Sequence, residues 1–140
     1  MGVATMIAPV KGRYKVTSPF GWRVHPITGK RKLHAGADIV TGRKNTAIIA
    51  PEAGTVLEAR KSTAPGGGYG WFVKYRGASG VVHLMAHLEE GSLAVKKGDR
   101  VEEGQKLGIM GTTGASTGVH LHWEVRKKNI PTDPIKWLNA

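Results

Sequence analysis

Apolar residues along this chain recur in short alternating runs and not in long stripes of helical period. Tyr14-Lys15-Val16-Thr17-Ser18 alternates and is closed by Pro19, which predicts a strand. Thr46 to Ala50 and Thr55 to Glu58 predict two more, separated by the turn Pro51-Glu52-Ala53-Gly54. Trp71 to Tyr75 and Val81 to His87 predict neighbouring strands joined through Gly77 to Gly80. Lys106 to Met110 and Val119 to Val125 predict a further pair around the glycine-rich loop Gly111 to Gly118. Trp22 to Leu33 reads as a basic, turn-rich loop, and Ala64 to Gly68 as a flexible turn. Lys97-Gly98-Asp99 and Glu103-Gly104-Gln105 read as turns around Val101. Near the end, Asp133 as cap and Pro134 at the first helical position predict one short helical turn running to Leu138. The expected fold is all-β and antiparallel, with little helix.

Composition sharpens this picture. Gly contributes 20 residues and Pro 7 of 140, which disfavours long helices. That length suits one domain over residues 1–140, large enough to bury a core. With no cysteine, disulfides, thiolate zinc sites, iron–sulfur clusters and cysteine nucleophiles are excluded. Lys and Arg number 21 against 10 Asp and Glu, a net charge of +11, which points to polyanionic surroundings: nucleic acid, an anionic membrane or an anionic cell-wall polymer. No apolar run approaches the ~18 residues of a membrane span. Met1 to Val10 has neither a charged n-region nor a proper apolar h-region, so no secretory signal is expected.

Two histidine constellations carry candidate chemistry. In His120-Leu121-His122 the period of a strand puts both imidazoles on one face and Leu121 and Trp123 on the other. In His34-Ala35-Gly36-Ala37-Asp38, Asp38 is the only acidic residue of the first 51 positions, among nine Lys or Arg. Fully extended, His34 and Asp38 would stand ~13 Å apart at ~3.3 Å per residue. Two ligands of one zinc each lie ~2 Å from it, so the chain must bend between them, and Gly36 is the residue expected to permit it. Zinc hydrolases use three protein ligands and one open position. His34, Asp38 and one of His120 and His122 suit that pattern. The remaining histidine and His87 are then free for proton transfer and for stabilising an oxyanion. No Ser-His-Asp arrangement and no phosphate-cradling Gly-Lys-Ser/Thr is evident, and Gly66-Gly67-Gly68 lacks a following helix.

The chain resembles the zinc metallopeptidases of the lysostaphin/LytM type, peptidase family M23, over roughly Val16 to Leu138. The matching segments are Ser18-Pro19-Phe20-Gly21-Trp22-Arg23, His34-x-Gly36-x-Asp38, Ala50-Pro51 with Gly54-Thr55-Val56, Met85-Ala86-His87-Leu88, Gly98-Asp99-Arg100-Val101 with Gly104-Gln105, and Gly114-x-Ser116-Thr117-Gly118-Val119-His120-Leu121-His122. The resemblance implies His34, Asp38 and His122 as ligands of one Zn2+, His87 and His120 as catalytic histidines, an antiparallel β fold with a substrate groove, and peptidoglycan peptide as substrate. Members usually carry tyrosine where Met85 stands, which puts a substrate contact at Met85 in question. His25, in the basic loop, borders the expected groove, and Trp22 and Tyr69 sit in loops that would line it. His83, four residues before His87, is expected on the same strand face in a structural role. Glu124, on the His122 face, reads as a surface carboxylate or a group behind the ligand. Trp123 and Trp137 read as core.

The expected function is therefore zinc-dependent hydrolysis of the peptide crosslinks or bridges of bacterial peptidoglycan, in the cell wall, by a monomer that meets anionic wall polymers through its charge. No membrane span and no specific nucleic acid are expected. Without a visible signal, a phage lysin or a catalytic domain cut from a larger protein is the expected context. Three alternatives compete. A non-catalytic relative would have lost metal ligands, and none is lost. A biotinyl or lipoyl carrier is suggested by Ala50-Pro51-x-x-Gly54-Thr55-Val56 and the Gly98-Asp99 and Gly104-Gln105 turns, yet neither Lys61 nor Lys74 sits on a suitable hairpin tip. A basic nucleic-acid module would interleave aromatic residues with its cations, and here the cations are scattered.

Overall fold

The computed structural model describes residues 6–24 and 28–138. Its strands are β1 (Lys15–Ser18), β2 (Gly21–Val24), β3 (Arg31–His34), β4 (Ala37–Val40), β5 (Ala47–Ile49), β6 (Gly54–Lys61), β7 (Trp71–Gly77), β8 (Val82–Leu88), β9 (Arg100–Val101), β10 (Lys106–Ile109), β11 (Leu121–Lys127) and β12 (Ile130–Thr132). The main sheet runs β1-β4-β11-β8-β7-β6-β9, with β12 paired to the far end of β11. Every pairing is antiparallel. β5 pairs with β10 and β2 with β3. Among the described residues helix is confined to the 3-10 turns Pro65–Gly67 and Pro134–Trp137. In the second, the Asp133 side chain accepts from the Ile135 backbone N–H, the cap the sequence leads one to expect. The all-β antiparallel fold is thus the one observed.

The alternation of side chains sorts the sheet into two faces. Leu121, Trp123 and Val125 of β11 are fully buried together with Met85 of β8 and Val73 and Tyr75 of β7. Ile48, Leu107 and Met110, from the β5–β10 side, close this core. Truncating a side chain as large as Trp123 here would cost about 3–5 kcal/mol. His83 belongs to the same core. It is fully buried, its Nε2 lies 2.7 Å from Glu52 Oε2, and its Nδ1 accepts from Trp123 Nε1 at 3.2 Å. Its ring stacks on Tyr75 with centroids 4.7 Å apart. A buried imidazole needs partners for both nitrogens, and these neighbours satisfy both. The opposite face carries His122, Glu124 and Arg126 of β11, beside a smaller apolar cluster of Phe72, Leu84 and Ala86 packed against Tyr69.

Two segments depart from expectation. At both ends of the expected basic loop the chain is instead strand, β2 paired with β3, with Trp22 opposite Leu33 and Arg23 opposite Lys32. Charges on both strands hide the alternation, and the Arg31 guanidinium sits 5.1 Å over the Trp22 ring, where a cation–π contact supports the pair. Ala37–Val40, which reads only as the tail of a histidine motif, is an inner strand between β1 and β11. It carries the Asp38 position into the centre of the sheet.

Candidate metal centre

Three strand ends deliver the candidate ligands. His34 closes β3, Asp38 is the second residue of β4, and His122 is the second residue of β11. Asp38 stands directly opposite His122 in the β4–β11 register. Its Oδ1 lies 2.9 Å from His122 Nδ1 and 3.3 Å from His34 Nε2. One donor atom from each of the three residues falls within 4.8 Å of the others. Ligands ~2 Å from a common zinc sit up to ~4 Å apart, so small side-chain rotations seat all three. Two imidazole nitrogens and one carboxylate oxygen suit zinc chemically.

Gly36 makes this convergence possible, although for a different reason from the bend expected of it. A Cβ at position 36 would run into the carbonyl oxygen of Trp123 and come within 3.0 Å of the His122 ring. The close approach of the His34–Asp38 segment to β11, more than backbone freedom, requires glycine there.

Four histidine rings surround the centre, and each has one nitrogen held from behind. Carbonyl oxygens only accept, so the partner nitrogen must carry the proton. His34 Nδ1 donates to Pro19 O at 2.9 Å, His87 Nδ1 to Thr113 O at 2.7 Å, and His120 Nδ1 to Gly118 O at 2.8 Å. Each thereby turns its Nε2 toward the centre, the nitrogen left with a free lone pair in the neutral ring. His122 is the exception. Its Nε2 is held by a carboxylate, Glu124 Oε2 at 2.8 Å, and Nδ1 is the nitrogen turned to the centre. Glu124 is itself fixed by Tyr69 Oη at 2.9 Å and by Arg126 Nη2 at 2.7 Å. The surface reading of Glu124 is therefore wrong, because the residue is 1% exposed.

Burial opposes ionisation of Asp38, yet the hydrogen bonds from His122 and His34 outweigh it and hold the carboxyl well below the usual carboxylate range. Burial likewise opposes the His122 imidazolium, and the bonds to Asp38 and Glu124 overcome it, raising this histidine to about 9. Such a site is strongly pre-set for a cation. Burial pushes His87 below its usual value against the bond to Thr113, which favours the neutral ring. Burial and the adjacent Glu124 carboxylate raise the Tyr69 hydroxyl to about 12, so it stays a donor.

His87 and His120 form the far wall, with ring centroids 4.9 Å apart. His87 lies 6.0 Å from His122, and His120 Nε2 is 3.8 Å from Asp38 Oδ1. His120 precedes β11 and is bridged to Gly111, yet it faces the same centre as His122. His87 reaches the site by an irregularity. Regular alternation would turn it to the core with His83 and Met85. Instead its φ of 65° places it in the left-handed region and reverses its side chain. Its N–H donates to Tyr69 O and its carbonyl accepts from Gly111 N–H, which holds the unusual backbone. The expectation that His83 and His87 share a face fails for this reason.

All five expected metal and catalytic residues line one cleft of about 510 Å³, together with Tyr69, Gly68, Ser62 and Ala115 to Thr117. A larger hollow of about 720 Å³, between Arg43, Glu89, Met110 and Val119, contains none of these histidines. Of the expected groove residues, Tyr69 is in the cleft, stacked on His122 with centroids 6.2 Å apart. Trp22 is not among the cleft residues. It is 63% exposed on the hairpin that ends at His34. The Met85 expectation is corrected: the side chain is fully buried in the core beside Trp123, with no surface to offer a substrate. His25 lies outside the described residues. Sequence reasoning missed Pro19, Thr113 and Gly118, which act through backbone carbonyls that any residue carries.

Comparison with known proteins agrees with this geometry. The chain is 38% identical over 121 residues to the DD-carboxypeptidase/endopeptidase Mpg of Neisseria meningitidis, a match covering 86% of this chain and 26% of that protein. It is 35% identical over 130 residues to the peptidoglycan DD-endopeptidase ShyB of Vibrio cholerae, covering 91% of this chain and 29% of the relative. The chain thus spans about a quarter of the length of these relatives. A zinc-containing peptidase from Vibrio cholerae superposes with a TM-score of 0.82 at 33% identity, over 99% of this chain and 40% of the other. Residues 32–134 match the model of peptidase family M23, a stretch that contains the three candidate ligands, and the chain belongs to this family.

Proposed function

We propose that this chain is a zinc-dependent endopeptidase that hydrolyses peptide crosslinks or bridges of bacterial peptidoglycan. The observation that carries this reading is the convergence of His34 Nε2, Asp38 Oδ1 and His122 Nδ1, with His87 and His120 facing them across the cleft. Zinc held by the three ligands would supply Lewis-acid polarisation of a peptide carbonyl and a nucleophile available at neutral pH. His87 Nε2, its proton placed on Nδ1 by Thr113, is set to take a proton and pass it to the leaving amine. His120 Nε2 stands beside the reacting centre, where a protonated ring would hold the developing oxyanion. Glu124 and Tyr69 keep His122 in the tautomer that ligation needs.

The peptidoglycan endopeptidase named among the relatives supports that substrate class, and action in the bacterial cell wall, in the periplasm or outside the cell, follows from it. The +11 charge would draw the chain to anionic wall polymers. Among the described residues no helix is long and apolar enough to cross a membrane.

The test is digestion of purified peptidoglycans of defined crosslink type, with and without chelator, and mass spectrometry of the fragments. Release of peptide fragments that stops on chelation and returns with zinc is expected. Full activity after metal stripping, or release of glycan fragments only, would overturn the reading.

A further inference from the structure

The sheet face that carries the metal centre continues beyond it into a cationic furrow. In register across five strands lie Arg126 of β11, Val82 of β8, Arg76 of β7, Thr55 of β6 and Arg100 of β9. Residues opposite one another in a sheet project from the same face. That face is the one holding His122, because Arg126 bonds Glu124 and Glu124 bonds His122. Three guanidinium-bearing positions thus recur at every second strand, ~10 Å apart at ~4.8 Å per strand.

Two adjoining hollows of about 440 and 340 Å³ follow the row and share Leu57 and Arg76. Lys74 and Lys128 add two more cations to the second, and no acidic residue lines either one. Arg126 is paired with Glu124, and Lys74 lies 3.9 Å from Glu58. Among the described residues no carboxylate pairs with Arg76, Arg100 or Lys128, all three of which are exposed. Unneutralised cations in one furrow repel one another, and an anionic occupant relieves that repulsion.

We propose that this row is a second binding site for peptidoglycan, gripping the carboxylates of peptide stems next to the one held at the metal centre. The proposal rests on peptidoglycan as the substrate. The guanidinium fork matches a carboxylate in bidentate geometry. Along β11, Arg126 is four residues from His122, ~13 Å at ~3.3 Å per residue. Arg100 lies four strands from β11, a further ~19 Å at ~4.8 Å per strand, so a network with several stems can engage the whole row and the metal centre together, and a single short peptide cannot. Nucleic acid fits less well. The hollows carry Leu57 and Val82 where a single strand would need stacking rings, and no helix projects to enter a duplex groove.

The test compares the full chain with the variant Arg76→Gln/Arg100→Gln/Lys128→Gln, whose positions lie outside the metal centre. Binding to insoluble peptidoglycan freed of attached polymers is measured by co-sedimentation. It is repeated on the same material with its carboxylates chemically amidated, and by titration with duplex DNA. The variant is expected to bind untreated peptidoglycan about tenfold more weakly, from the loss of three exposed charge contacts. The parent should bind amidated peptidoglycan as weakly as the variant does. Cleavage of a short soluble crosslinked peptide should be equal in both. Equal binding of parent and variant to untreated peptidoglycan overturns the proposal, as does binding of DNA by the parent as tight as its binding of peptidoglycan. If the parent leaves the short peptide uncut, the reading of the metal centre fails, while co-sedimentation still decides the row.

Discussion

Glu124 Oε2 accepts a hydrogen bond from His122 Nε2 at 2.8 Å, so this candidate ligand presents Nδ1 where the other three histidines of the cleft present Nε2. The carboxylate is buried, and Tyr69 and Arg126 saturate its remaining lone pairs. Removing it frees the His122 ring to rotate or to change tautomer.

Glu124→Ala is therefore expected to weaken zinc affinity by about 10–100-fold, the usual effect of losing the group behind a metal-bound histidine. Competition with a chromophoric chelator measures it. Glu124→Gln still offers an oxygen to Nε2–H and should retain more affinity than the alanine variant. Equal affinity in parent and both variants would show that the hydrogen bond does not govern ligation.

His87 sits at φ 65° to turn its ring into the cleft. A Cβ in the left-handed region costs about 1–2 kcal/mol, and glycine escapes that cost. Both His87→Ala and His87→Gly lose the imidazole, so their comparison isolates the backbone. The glycine variant is expected to be more stable by about 1 kcal/mol in denaturant unfolding. An alanine variant as stable as the glycine variant would contradict the strain.

Gly36→Ala places a methyl group against the Trp123 carbonyl and the His122 ring. Neither neighbour has room to retreat, because Trp123 is fully buried. A loss of about 1–3 kcal/mol in stability is expected, as for other overpacked sites, together with weaker zinc binding. Thermal unfolding and zinc titration of the purified variant read both effects.

Much of this arrangement was legible in the sequence, and the exceptions have physical causes. The strands Trp71 to Tyr75 and Val81 to His87 are legible as short apolar runs because both their faces are largely buried, Val73, Tyr75 and Met85 in the main core and Phe72, Leu84 and Ala86 in the smaller cluster. The pairing of β2 with β3 was hidden, since Arg23 and Lys32 are both charged and the other face, Trp22 and Val24 against Leu33 and Arg31, is short and broken by a cation. His83 could not be separated from His87 by period alone, because a single left-handed residue reverses the pattern. Met85 has no polar atom that would announce its burial, whereas Glu124 gave a signal, its shared face with His122, that only the partners Tyr69 and Arg126 resolve. Spacing pointed to His34, Asp38 and one of His120 and His122, the family resemblance selected His122, and only the β4–β11 register brings Asp38 opposite His122.

The measurement that tests the account most directly is the zinc content of purified, folded His122→Ala, His120→Ala and His87→Ala, with peptidoglycan cleavage by each. His122→Ala should lose zinc and activity together. His120→Ala and His87→Ala should retain near-stoichiometric zinc and lose about 10²–10⁴ in rate, as expected for groups that move protons or stabilise charge without holding the metal. Retention of zinc by His122→Ala, or its loss from His120→Ala with full retention in His122→Ala, would contradict the assignment of ligands and catalytic histidines.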